Sequence, residues 1–330
     1  MKKLFFLFVL ISMIGTKGLA LDQKDGVYQI GSGEDLVAFA KLVNGGENAA
    51  NAVLTTDIDM SAESTNFLPI GKEGCIYTGT FDGQGHRIKN LSISLEQDCV
   101  GLFGVIQSPA VIKNFIFDES SSIDCTGYYC GIVGRARKGG GAIILEKLGM
   151  EGSIHLTGWN GGAIVGQSYG DALLISDCYV TGDLTADAGY SGALTGYASD
   201  NAGTLIENCW ASGQVTGVDS EASSFVRGLQ AGTIKNCYCT FGTQVPNVTD
   251  EQIASGELCY LLNGDQSEMV WYQNIKEDPY PVLDASHGKV YTTAERRCDG
   301  VIIGEGTFTT DPNQASSMPV HQYENDICVI

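Results

Sequence analysis

The sequence predicts an all-β solenoid, a parallel β-helix, and three observations lead there. A block made of a small residue, an aliphatic residue, any residue and Gly recurs along the middle of the chain. It reads Gly101-Leu102-Phe103-Gly104, Gly131-Ile132-Val133-Gly134, Ala163-Ile164-Val165-Gly166 and Ala193-Leu194-Thr195-Gly196, with a degraded copy at Ser224-Phe225-Val226-Arg227. The block starts lie 30, 32, 30 and 31 residues apart, the period of a repeat that cannot bury its apolar face alone and must stack. A second block, Ile-x-Asn/Asp followed by apolar or Cys residues, falls between the first ones at 112–117, 175–180, 206–211 and 234–239, with weaker copies at 145–150 and 88–93. Both blocks are short, β-branched and aromatic, and Gly, Asn, Asp and Ser separate them, with no 3.6-residue period inside the repeats.

Chain direction inside the second block follows from its Asn or Asp, residues that tolerate the left-handed conformation and turn the backbone. A turn at Asn114, Asp177, Asn208 and Asn236 puts Ile112, Phe115 and Phe117; Ile175, Cys178 and Val180; Ile206, Cys209 and Ala211; and Ile234, Cys237 and Cys239 on one face. Every member is apolar, small or Cys, so that face is the predicted core. The opposite face carries Tyr179, Trp210 and Tyr238 at one repeat phase, a candidate ligand-binding stripe.

The flanking segments follow in order. Residues 1–20 read as a signal peptide: Lys2-Lys3, an apolar run over 4–14, then Gly18-Leu19-Ala20 as the cleavage site, a run too short to span a membrane. Residues 21–52 are the N-terminal cap segment. Ser32 and Asp35 begin its helix, Leu36, Phe39, Ala40 and Val43 give the stripe, and Gly45-Gly46 end it. Residues 53–245 hold the repeats. Residues 246–292 form the C-terminal cap, with a capping box at Thr249 and Gln252 and one helix through Ile253, Leu258, Leu261 and Leu262 to about Gly264. Residues 293–330 are a small tail.

Gly101-Leu102-Phe103-Gly104 matches the motif that names the GLUG-repeat family. Phe67-Leu68-Pro69-Ile70-Gly71 and Tyr77-Thr78-Gly79-Thr80-Phe81-Asp82-Gly83 look like the first rungs of those proteins. The resemblance covers about 22–290. It implies a right-handed parallel β-helix with capping helices, on secreted or surface bacterial proteins often associated with IgA-peptidase and adhesin architectures. Ala163 and Ala193 replace the first Gly and Arg227 the last, which puts the fifth rung's geometry in question. The family brings no agreed catalytic residues. The tail, with Cys298-Asp299-Gly300 and His321 to Cys328, resembles a truncated zinc-ribbon-like module, which normally closes on a Cys-x-x-Cys pair where this sequence has Cys328 alone, so metal binding is not expected.

Function classes narrow accordingly. A formal net charge of -20 argues against nucleic acid and anionic membrane as partners. Asp57-Ile58-Asp59 is the only Asp-x-Asp, the other acids are scattered through turns, and the four histidines lie far apart in the pattern. No catalytic residues, metal ligands or cofactor are therefore expected. Of the 11 cysteines, Cys178, Cys209 and Cys237 share one repeat phase and read as a reduced core ladder, whereas Cys125 and Cys130 bracket a loop and are disulfide candidates. Arg135, Arg137 and Lys138 read as a solvated basic cluster. The expected role is a secreted or surface-displayed, non-enzymatic protein of adhesion that contacts a host glycan or protein. A polysaccharide lyase or hydrolase and a structural stalk are the alternatives.

Overall fold

The computed structural model describes residues 21–316, except 171, 188–190, 200–202, 218–223, 230–231, 265, 267, 297–301 and 304–306, together with the short strands Tyr323–Glu324 and Ile327–Cys328. The leader segment, Cys298 and His321 lie outside the described residues.

Three parallel sheets wrap one core. The first stacks Val27–Ile30, Asn51–Leu54, Thr80–Lys89, Val111–Phe117, Ile143–Met150, Leu173–Ser176, Thr204–Glu207 and Gly232–Lys235 in that order. The second stacks Phe103–Gln107, Val133–Arg137, Val165–Tyr169, Ser191–Ser199 and Ser224–Val226, and the third Ser92–Leu95, Ser122–Cys125, Ser153–Leu156, Leu184–Ala186 and Val215–Gly217. Register follows the repeat: Phe103, Val133, Val165, Thr195 and Val226 pair in sequence, as do Ile112, Leu145, Ile175, Ile206 and Ile234. The molecule is a parallel β-helix, in which the strands of these three sheets find their partners one turn away.

Glycine recurs in the first block because neighbouring rungs touch there. A Cβ on Gly166 would sit 2.4 Å from the Cys130 amide nitrogen, inside its van der Waals shell. Where Arg227 replaces that Gly, the pairing of Ser224–Val226 with the preceding strand slips out of register.

The turn ladder is present as expected, with Asn114, Asp177, Asn208 and Asn236 at φ 58, 54, 54 and 49°. Lys147 completes it at φ 54°, in a rung whose sequence gives no turn signal. Ile175, Ile206 and Phe117 are fully buried and Phe115 nearly so. Ile234 is only half-buried, contrary to its phase, because its strand is the last of the sheet and no rung covers its far side.

Cys178, Cys209 and Cys237 are free thiols in the core. Each S–H donates to the carbonyl two residues earlier, Ser176 O at 3.2 Å, Glu207 O at 3.1 Å and Lys235 O at 3.3 Å. The column thus satisfies the carbonyls just before the left-handed residues as well as filling space. Cys125 and Cys130 are free thiols, not a disulfide; the Cys125 S–H donates to Gly127 O at 3.5 Å.

Helix α1 (Gly33–Asn44) has Ser32 as its N-cap, whose Oγ accepts from the Asp35 amide at 3.2 Å, and it buries Leu36, Phe39, Ala40 and Val43 against the N-terminal rungs. The C-terminal helix divides into α2 (Asp250–Ala254), opened by the Thr249–Gln252 capping box, and α3 (Glu257–Asn263). Gly256 breaks it at φ 88°, with Ile275 and Val290 packed where a side chain would go. The open edge of the last rung is closed by other means. The Gln244 side chain accepts from Val226 N at 2.7 Å and donates to Val226 O at 2.8 Å, as a further strand would. Among the described residues no helix is long and apolar enough to cross a membrane.

Candidate functional site

The aromatic stripe belongs to a longer outward column. Arg87, Ile116, Gly149, Tyr179, Trp210 and Tyr238 are successive partners across six rungs. Tyr179 and Trp210 stack with ring centroids 6.0 Å apart and planes 10° from parallel. They are not a free surface, which corrects the sequence expectation for these two residues. Trp210 is 0% and Tyr179 1% exposed, because Val248, Ile253, Leu258, Leu262 and Trp271 close over them as a second core. The physical reason is that a continuous apolar strip facing water is costly, and the C-terminal segment has an apolar face of its own to bury. Trp271 meets Tyr179 edge-on at 6.1 Å, and Tyr280 lies 5.9 Å from Tyr179 and 5.7 Å from Trp210. Tyr238, at the column's end, is half-buried, and its hydroxyl donates to Asn236 Oδ1 at 2.9 Å.

The turn ladder helps seat this cover. Asn236 Nδ2 donates to Asn208 Oδ1 and to the Leu261 and Leu262 carbonyls at the end of α3. Gln266 Nε2 donates to Asp177 Oδ1 at 3.2 Å. Burial of Asp177 against this segment pushes its carboxyl up to about 6.

Toward the N-terminal rungs the column runs out from under the cover. There the 269–287 segment overhangs the first sheet and leaves a groove of about 1040 Å³. Its floor carries Ile116, Arg87 and Lys147, and its roof Tyr272, Tyr280 and Leu283. Gly149 explains part of the shape: the Tyr179 ring lies 2.5 Å from where a Gly149 Cβ would stand, so the ring folds flat across the preceding rung.

At the inner end of the groove a polar knot joins floor to roof. Arg87 Nε donates to Asp118 Oδ2 at 2.7 Å, and Arg87 Nη2 to Glu151 Oε2. Glu151 also accepts from the Tyr179 hydroxyl at 2.5 Å and from the Tyr280 hydroxyl at 3.2 Å. Burial works against the Arg87 charge, but the two carboxylates outweigh it and hold its pKa above the usual value. Burial, reinforced by the Glu151 charge, pushes the Tyr280 phenol up to about 12. On the roof Asp278 Oδ2 lies 2.7 Å from His287 Nδ1, while His287 Nε2 faces Asp284 at 3.9 Å, not a hydroxyl. On the floor Asp57 pairs with Lys89 at 2.7 Å and His86 at 3.4 Å.

This arrangement suits holding a ligand. Glu151 already takes three donors, and the Asp–His pair has no nucleophile on its second nitrogen. Among the described residues no cluster of three His, Cys, Asp or Glu side chains is placed to hold a metal. Of the three stripe residues, Tyr179 alone lines the groove, as does Asp57 of the Asp-x-Asp pair; Trp210 lies under the cover. Sequence reasoning missed Arg87, Ile116 and Gly149, which the repeat phase reaches if the column is continued through the weak copies. It also missed Glu151 and Tyr280, which meet through a contact 129 residues long in sequence and leave no local signal.

The scaffold is thus a parallel β-helix with a covered outer face and one long groove. No family model matches the chain. In sequence it is similar to halomucin of Haloquadratum walsbyi, at 35% identity over 105 aligned positions, 28% of this chain and 1% of halomucin's length. The chain therefore spans a very small part of that relative. In shape it is similar to a Bacteroides ovatus protein described provisionally as an immunoglobulin A1 protease, with a TM-score of 0.50 and 18% identity over 78% of this chain and 92% of that one. At that identity the likeness shows the fold alone.

Proposed function

We propose that this is an exported, non-enzymatic protein of adhesin type whose groove grips an extended, cationic segment of a partner protein. The leader-like N-terminus and the GLUG-type repeat support export to the cell exterior. One observation carries the binding reading: five carboxylates but only two permanently cationic side chains, Arg87 and Lys147, line the groove beside Ile116, Tyr272, Tyr280 and Leu283. An apolar strip edged by acid accepts a chain with alternating apolar and basic side chains and repels acidic ones. Glu151 and Tyr280 are engaged in the knot described above, which supports the binding reading over a lyase or hydrolase.

An immobilised peptide array probed with the chain tests this. Lys- and Arg-bearing peptides with interspersed aromatics should bind. For the best of them, the double variant Glu119→Gln, Asp284→Asn and the single variant Tyr280→Ala should each weaken binding about tenfold or more. Added salt should also weaken it. Binding of acidic peptides with equal strength, or none of the basic ones, would contradict the proposal.

A further inference from the structure

A second surface, away from the groove, has a different chemistry. Where the third sheet turns into the second, residues 97–99, 127–129 and 158–160 of successive rungs repeat one turn. Cys99, Tyr129 and Asn160 each sit in the left-handed region, at φ 61, 71 and 67°. Cys99 N donates to Tyr128 O at 2.7 Å, and Tyr129 N to Trp159 O at 3.0 Å, so the tips are locked in register. Gly127 and Gly158 let them stack: a Cβ on Gly158 would lie 1.9 Å from Gly127 O. The residues held at the tip are Tyr128 above Trp159, one strand spacing of about 4.8 Å apart along the solenoid. They are 47% and 45% exposed, among the most exposed large apolar side chains of the described residues.

Beside the tips the surface is rich in planar polar groups. Tyr129 packs 5.9 Å from the Tyr128 ring, and the Arg135 guanidinium lies 4.9 Å from the Tyr129 ring centroid. Arg135 and Arg137 both pair with Glu73, so this basic cluster is braced and not simply solvated. Tyr129 and Arg135 form one wall of a cavity of about 360 Å³ that Asn44, Asn66, Gln97 and Asp98 also line. Arg135 Nε is buried and without an acceptor.

We propose that Tyr128 and Trp159 form a stacking platform for a neutral glycan, with the adjoining cavity taking one or two of its sugar residues. The apolar C–H face of a pyranose lies flat on an aromatic ring, and its hydroxyls need the paired donors and acceptors that amides, guanidinium and carboxylate supply. The cavity is in the size range of small-ligand sites. Two exposed rings fall far short of the roughly 800 Å² per partner of a stable protein interface. The cavity lining sets Glu73 and Asp98 against Lys41, Lys72 and Arg135, so it is the chain's overall net charge of -20 that disfavours uronate or sulfated glycans.

Tryptophan fluorescence reads this site selectively. Trp210 and Trp271 are fully buried and Trp159 is the remaining one of the 3 tryptophans. The chain is titrated with cellohexaose, xylohexaose, mannohexaose and chitohexaose, and with hexagalacturonate as the acidic comparison. At least one neutral hexaose should give a saturable change, and calorimetry should then measure its affinity. Trp159→Ala and Tyr128→Ala should each weaken it at least tenfold without moving the melting temperature, and Trp159→Phe should keep most of it. Tyr280→Ala in the groove should leave it unchanged. No response to any neutral hexaose, an equal response to hexagalacturonate, or binding that survives in the Tyr128→Ala, Trp159→Ala double variant would overturn the proposal. So would occupancy of Trp159 by the groove's cationic peptides, which would assign the patch to protein.

Discussion

Asp177 shows how a single residue answers to two neighbourhoods. The turn it makes requires the left-handed conformation, which the sequence signals plainly, but its carboxyl is buried when the C-terminal segment docks, which no local pattern announces. Burial raises its pKa from an ordinary 3.8 to about 6, with Glu146 adding to the rise and Lys147 and Gln266 opposing it. The folded state therefore prefers the protonated acid. That preference is fully expressed below the unfolded value and is lost as pH rises through about 4 to 6. Its size is about 2–3 kcal/mol. Asp57 and Asp118, held below the usual range, act in the opposite sense and only below that window. Urea midpoints measured from pH 4 to 7 should thus fall with rising pH, and Asp177→Asn should flatten the slope and stabilise the protein at pH 7. Lys147 makes the same turn without a residue type suited to it. Lys147→Asn should hold or raise stability by up to about 1 kcal/mol, whereas Lys147→Val, β-branched at a positive φ, should lose about 1–3 kcal/mol. Denaturation midpoints of the two variants decide it; a more stable Val variant would contradict the ladder.

At the scale of elements, the rungs and the C-terminal segment meet through the Tyr179–Trp210 stack. Trp210→Ala should cost about 3–5 kcal/mol, as deletion of a fully buried aromatic does. It should also free α2 and α3 for proteolysis before the rungs yield. A denaturation midpoint within error of the unsubstituted chain would mean that the segment is not seated there. Gly166→Ala should cost about 1–3 kcal/mol or more, since its methyl group meets the Cys130 backbone, which cannot move without shifting a rung. The rungs were legible because each repeat states its own phase several times over: Ile175 and Ile206, Cys178 and Cys209, Asp177 and Asn208 agree about which way the chain faces. The cover was legible only as two facts without a link, an apolar strip on one side and a capping box with apolar residues after Thr249. Residues 249–264 also read as one helix, because Gly256 inside an apolar pattern carries no mark of the backbone it adopts until Ile275 and Val290 are packed against it.

At the scale of the whole molecule, a solenoid gives each column a single direction along many rungs, and this chain uses its outward column twice. Its C-terminal half is aromatic and is sealed by the chain's own C-terminal cap segment; its N-terminal half, Ile116 and Arg87, remains as the floor of the groove. The groove could not be read from sequence because half of it is the 269–287 overhang, whose position depends on where the stripe ends. Hydrogen exchange measured along the backbone, with and without a saturating Lys- and Arg-rich peptide selected on the array, tests the groove most directly. The account predicts slowed exchange in 84–89, 114–119 and 269–287, and no change in the 127–129 and 158–160 tips. Protection confined to the tips, or absent from both walls of the groove while the peptide is bound, would contradict it.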